Sequence, residues 1–290
     1  MLLRERTNLG SGMMVAGLSV LALVSWASWV GGAAPSALTH QETAHPHLTI
    51  YYWPFPARAH SLLSMCAVAC APCTHVHSYD RIAAVASANG GSMEGGGVGD
   101  TFAPPIVVDE DNQGFAISQS VAATLYVGQR LGFDAAVPNV PKSVQYMVDL
   151  ADFLAQIPGG EGPTLIFDEE LGRKLAHFHT SGRFDAWMQN IERSIIGPYY
   201  YGERVSYVDF YLNQVLKWIY QRIYRQIPGA ENVFGAYPKA MGVQASVSAL
   251  DVTTCPVLGS PFPLTTSFPS PDEPFSKPFL DTLANTSIFR

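Results

Sequence analysis

Charge is what this 290-residue chain has least of. Only 14% of its residues are Asp, Glu, Lys or Arg, against 48% hydrophobic, and the net charge is −7. With no basic block anywhere, nucleic-acid binding is excluded as a main function, because phosphate recognition needs clustered Lys and Arg. The low charge and high apolar content also exclude a disordered chain. Cysteine is scarce: four in a chain this long do not make a disulfide scaffold. No internal repeat is visible, which excludes a solenoid.

The charge gap is deepest at the N-terminus, where nothing charged lies between Arg6 and Glu42. Residues 13–30 are apolar apart from Gly17, Ser19, Ser25 and Ser28; Arg4 and Arg6 precede them and Gly31, Gly32, Ala33 and Ala34 follow. A basic start, an apolar core and small residues describe a secretory signal. The run also just reaches spanning length, so an uncleaved signal-anchor fits equally, with Arg4 and Arg6 cytosolic and the remainder lumenal. Nothing amphipathic surrounds it, so targeting is preferred over a buried helix of the folded part. The expected location is therefore the secretory pathway or a membrane, with a soluble folded part beyond residues 1–44.

Beyond the polar linker, residues 48–53 (LTIYYW) read as a strand ended by Pro54 and Pro56. Apolar residues at three-to-four spacing predict a helix over 58–69, closed by Pro72. Residues 74–79 alternate as a second strand, and 89–99 form a Gly-rich loop. Residues 106–108 and 115–117 read as two strands around the turn DEDNQG, and a helix opens at Ser118-Gln119-Ser120 and runs to a glycine cap at Gly132. Later residues are helical, over 143–157, 170–195, 206–225 and 239–250. The stretch from 256 is proline-rich without periodicity and reads as an extended tail. The predicted fold is α/β plus all-α: a β-α-β, β-β-α thioredoxin-like domain over 45–135, an all-helical bundle over 136–255, and a tail over 256–290.

A strand ending in Gln-Ser at the start of a helix places backbone N–H groups and a hydroxyl at a positive helix end, which suits a carboxylate. Ser118 or Ser120 can equally be a simple N-cap. Ser206 and Asp209 have capping-box spacing, a folding element worth about 1 kcal/mol or more.

Together these motifs resemble the glutathione transferases, closest to the tyrosine-using, sigma- and pi-like classes, over residues 48–255. The residues that carry the likeness are Tyr52-Trp53-Pro54-Phe55-Pro56-Ala57-Arg58, then Pro105-Ile106-Val107-Val108-Asp109, then Gln119-Ser120. Tyr201-Gly202 with Ser206 to Asp209, and Tyr237-Pro238-Lys239, follow in the family's order. The resemblance implies that Tyr52 is catalytic. It implies that Tyr52, Trp53, Arg58, Pro104, Pro105, Gln119 and Ser120 bind glutathione, and that Phe55, Tyr146 and Met147 line a second-substrate pocket. It also implies glutathione as co-substrate with no cofactor or metal, a small hydrophobic electrophile as partner, and a homodimer. Two readings of function follow: a transferase conjugating glutathione thiolate to such electrophiles, with isomerase or peroxidase side activity, or a non-catalytic binding or structural protein on the same fold.

The chemistry of Tyr52 is sound on its own terms. A free thiol ionises near pH 8.5, and a phenol O–H aimed at sulfur stabilises the thiolate by a charge-assisted hydrogen bond. Moving the thiol from about 8.5 to about 6.5 needs roughly 2.7 kcal/mol. Tyr51 competes, but neighbours on a strand face opposite sides. Pro104 has no N–H to offer glutathione, so either one bond is missing or Pro104 is itself the cis residue and Ala103 makes the contact. Cys70-Ala-Pro-Cys73 is a CxxC, but it follows the first helix rather than the first strand, so redox catalysis is not expected. The pairs His45/His47, His75/His77 and His177/His179 lack companion ligands and read as ordinary histidines.

Overall fold

The computed structural model describes residues 45–55, 57–86, 101–160, 168–227, 229–230, 232–250, 252, 255 and 257–261. The chain divides into two units, Met1–Glu42 and Thr43–Arg290. The first, with the apolar segment 13–30, lies outside the described residues, as do the Gly-rich loop 89–99 and the tail beyond 261. No helix among the described residues is long and apolar enough to cross a membrane.

Among the described residues, four short strands and eight α-helices follow one another, beginning with β1 (Leu48–Tyr51), α1 (His60–Val68), β2 (Cys73–Val76), α2 (Tyr79–Val85), β3 (Ile106–Asp109), β4 (Phe115–Ser118) and α3 (Ser120–Arg130). The helical part continues through α4 (Val140–Gln156), α5 (Glu169–Thr180), α6 (Arg183–Ser194), α7 (Tyr207–Arg222) and α8 (Pro238–Ser248). The sheet order is β2-β1-β3-β4. β1 and β2 run parallel through the α1 crossover, while β3 is antiparallel to both β1 and β4. This is the thioredoxin-like arrangement followed by helices, as the sequence predicts.

α7 is the keel of the molecule. Nearly all of its residues are buried, including Tyr207, Phe210, Tyr211, Val215 and Ile219. It packs against α1 on the sheet side and against α4 and α8 on the other, so the sheet layer and the helical layer share one core. Its buried residues include the polar Asp209, Asn213, Gln214, Lys217 and Arg222, so the helix is enclosed by its surroundings rather than being apolar all round.

Several boundaries differ from expectation. The strand ends at Tyr51, so Tyr52 begins the loop rather than closing the strand. Helix α2, after Ser78, was not foreseen: a Ser followed by an acidic first turn opens it, but only Ile82 is buried, so the sequence carries little periodicity there. The predicted single helix over 170–195 is two. Gly182 takes φ +75°, its N–H closes α5 on His179 and the same residue then caps α6. A left-handed residue halts a right-handed helix, and glycine adopts it without penalty. α4 starts at Val140 rather than 143, because Asn139 accepts from the Lys142 N–H and Pro141 suits the first turn.

The pairing of the cysteines was not read from the sequence. All four are paired, as Cys66–Cys73 and Cys70–Cys255. The two cysteines of the CxxC therefore bond to other partners, which removes the redox motif. Residues past 256 are also not wholly a loose tail: Leu258 lies alongside Thr74 as an isolated parallel bridge.

Candidate functional site

The site grows from the strand ends that face α7. Beyond β1 the chain turns at Tyr52, Trp53 and Phe55 before entering α1. Tyr52 is 4% exposed, and its phenol oxygen accepts the Arg58 N–H at 3.1 Å, which ties the loop back on itself. Phe55 stands edge-on to Tyr52 and stacks on Trp218 of α7, with ring centres 6.2 Å apart. Trp218 is held in turn by the Gly160 carbonyl and carries the Arg222 guanidinium over its face. Trp53 stacks on Tyr79 at the start of α2. Three of the loop's aromatics are thus fixed by other rings, and Tyr51 lies half-buried at the strand's end.

The backbone at β3 is presented by a cis peptide between Pro104 and Pro105. Pro105 is therefore the cis residue, and Pro104, which precedes it, has a carbonyl but no N–H to offer.

Helix α3 begins one residue later than a simple cap predicts. Gln119 occupies the N-cap position with φ +73° and ψ 129°, and its side chain makes no cap bond. A glutamine held in this sparsely populated region stores backbone strain, and such residues cluster where a ligand must be met. Ser120 is the first helical residue. Its hydroxyl lies 3.1 Å from the phenol of Tyr211, a residue of α7 that is 2% exposed. Ser118 ends β4.

Arg58, Gln119, Ser120, Val121, Ala151, Leu154 and Tyr211 line one cleft of about 270 Å³. Three of the residues singled out from sequence, Arg58, Gln119 and Ser120, meet here although some sixty positions separate the first from the others. The cleft offers a guanidinium, the N-terminus of an eleven-residue helix and two hydroxyls, above an apolar floor of Ala151 and Leu154. That combination suits a small ligand with a carboxylate at one end. Tyr211 was missed from sequence, because its inward position on α7 follows only from the register of that helix against α3.

The other singled-out residues lie elsewhere. Tyr52, Trp53, Phe55, Pro104 and Pro105 do not line this cleft. Met147 is fully buried in the core, so it touches no substrate in this conformation. Tyr146 packs on Tyr200 and Tyr201, with Lys142 over its ring. Both were assigned to a pocket by the resemblance alone, and neither lines this cleft.

Two buried ionisable groups shape the surroundings. His75 of β2 reaches the Tyr52 carbonyl with Nε2 at 3.1 Å. Burial pushes its pKa down to about 4, the Tyr52 bond opposes this, and nearby His77 adds to it. The imidazole is neutral near pH 7. Asp209 accepts from the Tyr200 N–H (2.6 Å), the Ser206 N–H (2.6 Å) and the Ser206 hydroxyl (2.7 Å). Burial pushes its carboxyl up to about 6 against those bonds. Among the described residues no group of three metal-ligating side chains comes together.

Solved structures share this architecture. Rat hPGDS complexed with a quinoline matches at 15% identity over 72% of this chain and 94% of its own, with a TM-score of 0.51. The Fasciola hepatica sigma class GST matches at 14% over 71% and 92%, also at 0.51. A glutathione transferase family member from Pseudomonas fluorescens pf-5, with two glutathione bound, matches at 16% over 71% and 89%, again at 0.51. The chain has the glutathione transferase fold. No protein-family model matches the sequence, and no curated protein matches it. At such low identities the likeness establishes the fold and leaves the chemistry to the residues of the site.

Proposed function

We propose that the protein is a glutathione transferase, binding glutathione across the cleft at the N-terminus of α3 and delivering its thiolate to a small hydrophobic electrophile. The observation that carries this reading is the convergence of Arg58, Gln119 and Ser120 on one cleft. In it, the γ-glutamyl carboxylate lies at the helix N-terminus, where the Ser120 hydroxyl and backbone N–H groups donate to it. Arg58 supplies long-range attraction. The central cysteinyl part runs past the β3 edge at Pro104, whose carbonyl accepts one hydrogen bond while the return bond is absent.

Tyr52 is the thiol-activating group in this reading. Its phenol already accepts the Arg58 N–H. An accepted bond polarises the phenol and strengthens its O–H as a donor toward a thiolate. The second-substrate region then lies by Phe55 and Trp218 rather than Tyr146 and Met147. The homodimer and the membrane or secretory location through residues 13–30 belong to the same reading.

A second reading, a binding protein on this fold without catalysis, is favoured by two observations. Tyr52 is only 4% exposed, and the residue before the cis bond lacks an N–H. Calorimetry with reduced glutathione, repeated on Arg58→Ala and Ser120→Ala, tests the glutathione site. Binding by the wild type that weakens in both variants supports the cleft assignment; no heat of binding at millimolar glutathione removes the transferase reading and leaves the non-catalytic one.

A further inference from the structure

The two disulfides differ in access and in what they hold. Cys66 and Cys73 are 0% and 4% exposed, and they staple α1 to β2 across seven residues. Cys70 is exposed, in a left-handed turn (φ +52°) just past α1, and its half-buried partner Cys255 lies 185 residues away. Thiol–disulfide exchange needs a thiolate in line with the S–S bond, so solvent access decides which bridge reacts first.

What the exposed bridge holds is a strap on the open edge of the sheet. β2 is an edge strand, which leaves backbone groups in need of partners. Leu258 supplies them: its N–H donates to the Cys73 carbonyl at 3.0 Å, and its carbonyl accepts the His75 N–H at 2.8 Å. Val257 is buried beside it, whereas Leu258 is 71% exposed, so backbone pairing rather than its side chain holds Leu258 in place. Gly259 has φ +76°, and a Cβ there would stand 2.8 Å from the His75 carbonyl, so only glycine lets the strap turn this close. His75 passes the contact inward, since its ring is bonded to the Tyr52 carbonyl.

We propose that Cys70–Cys255 is a thiol-exchange site, a latch whose reduction releases the strap from β2 while Cys66–Cys73 stays closed. The reductant is a small thiol. One thiolate attacks a sulfur of the bridge, forming a mixed disulfide and expelling the other cysteine as a thiolate, which takes up a proton. A second thiolate attacks the mixed disulfide and expels the remaining cysteine, which is protonated in turn. Two thiols become one disulfide, and two electrons and two protons reside on Cys70 and Cys255. The latch is independent of glutathione binding and of the transferase reading.

The test treats the full chain with 2-mercaptoethanol, which has no γ-glutamyl group, then alkylates free thiols and maps the peptides. Hydrogen exchange at the His75 amide is followed in the same samples. Alkylation confined to Cys70 and Cys255, with His75 exchange faster by on the order of tenfold, is the expected result. Cys255→Ser should show the same loss of His75 protection without any thiol. Alkylation of Cys66 and Cys73 at the same rate as Cys70 overturns the selectivity. His75 protection unchanged in both the reduced protein and Cys255→Ser overturns the latch.

Discussion

Replacing Asp209 by alanine probes the N-terminus of α7 and the loop that leads into it. The carboxylate accepts three donors within 2.7 Å, from Tyr200, the Ser206 backbone and the Ser206 hydroxyl, and both Ser206 and Asp209 are fully buried. A buried donor left without an acceptor costs roughly 1–3 kcal/mol. Allowing for relaxation, three such losses predict a destabilisation of about 3–6 kcal/mol, a large share of a domain's total stability. This exceeds the value of a simple capping box, because the Tyr200 amide is held by the same carboxylate. Urea unfolding followed by tryptophan fluorescence measures it, and a loss below about 1 kcal/mol would refute the reasoning. The same variant has a pH signature. The folded carboxyl sits at about 6 against an ordinary 3.8, so its contribution is fully present below 3.8 and is lost as pH rises through 6. That loss amounts to about 3 kcal/mol. The destabilisation by Asp209→Ala should therefore be larger at pH 4 than at pH 8. Growth of the effect with pH would mean that the three donors outweigh burial.

His75 works in the opposite sense. Its pKa is lowered from 6.5 to about 4, so its contribution is present above 6.5 and is lost as pH falls toward 4; His75→Asn should remove about 3 kcal/mol of acid sensitivity in urea titrations across that window. An unchanged pH profile would show that the imidazole is not buried as described. Ser120→Ala should weaken glutathione binding by roughly 1–3 kcal/mol in calorimetry. Gln119 and not Ser120 occupies the N-cap of α3, so no cap is lost, and unaltered affinity would show that the Ser120 hydroxyl serves Tyr211 rather than a ligand. A chain beginning at His45 should fold, because β1 starts at Leu48, whereas the full chain should sediment with membranes or appear cleaved near Ala34. A full-length protein that is soluble and uncleaved would contradict targeting through residues 13–30.

The order of elements was legible wherever pattern and punctuation coincided. The β3–β4 hairpin around DEDNQG, the helix following Gln119 and the box from Ser206 to Asp209 each join a local turn or cap to a periodic run. What escaped was decided by tertiary contact. The break at Gly182 has a local signal in Ser181-Gly182, but apolar spacing continues across it and hides the change of direction. The Cys70–Cys255 pairing spans 185 residues, and no spacing rule reaches that far. In the site, Arg58, Gln119 and Ser120 were visible because their motifs are local. Tyr211 was not, since a tyrosine inside a continuously buried helix reads as core until the facing helix is known. Met147 was assigned to a pocket by resemblance alone, and its side chain is fully buried, which apolar periodicity on α4 already allowed.

The proposed transferase activity depends on Tyr52 activating a glutathione thiol. The most direct measurement is the conjugation rate of glutathione with a generic aromatic electrophile from pH 5.5 to 9, for the wild type and Tyr52→Phe. A thiol-activating Tyr52 gives a wild-type profile whose thiol ionises near pH 6.5, and a Tyr52→Phe profile returned toward the free-thiol value of about 8.5, with glutathione affinity little changed. Superimposable profiles, or no enzymatic rate in the wild type above the spontaneous one, would contradict it.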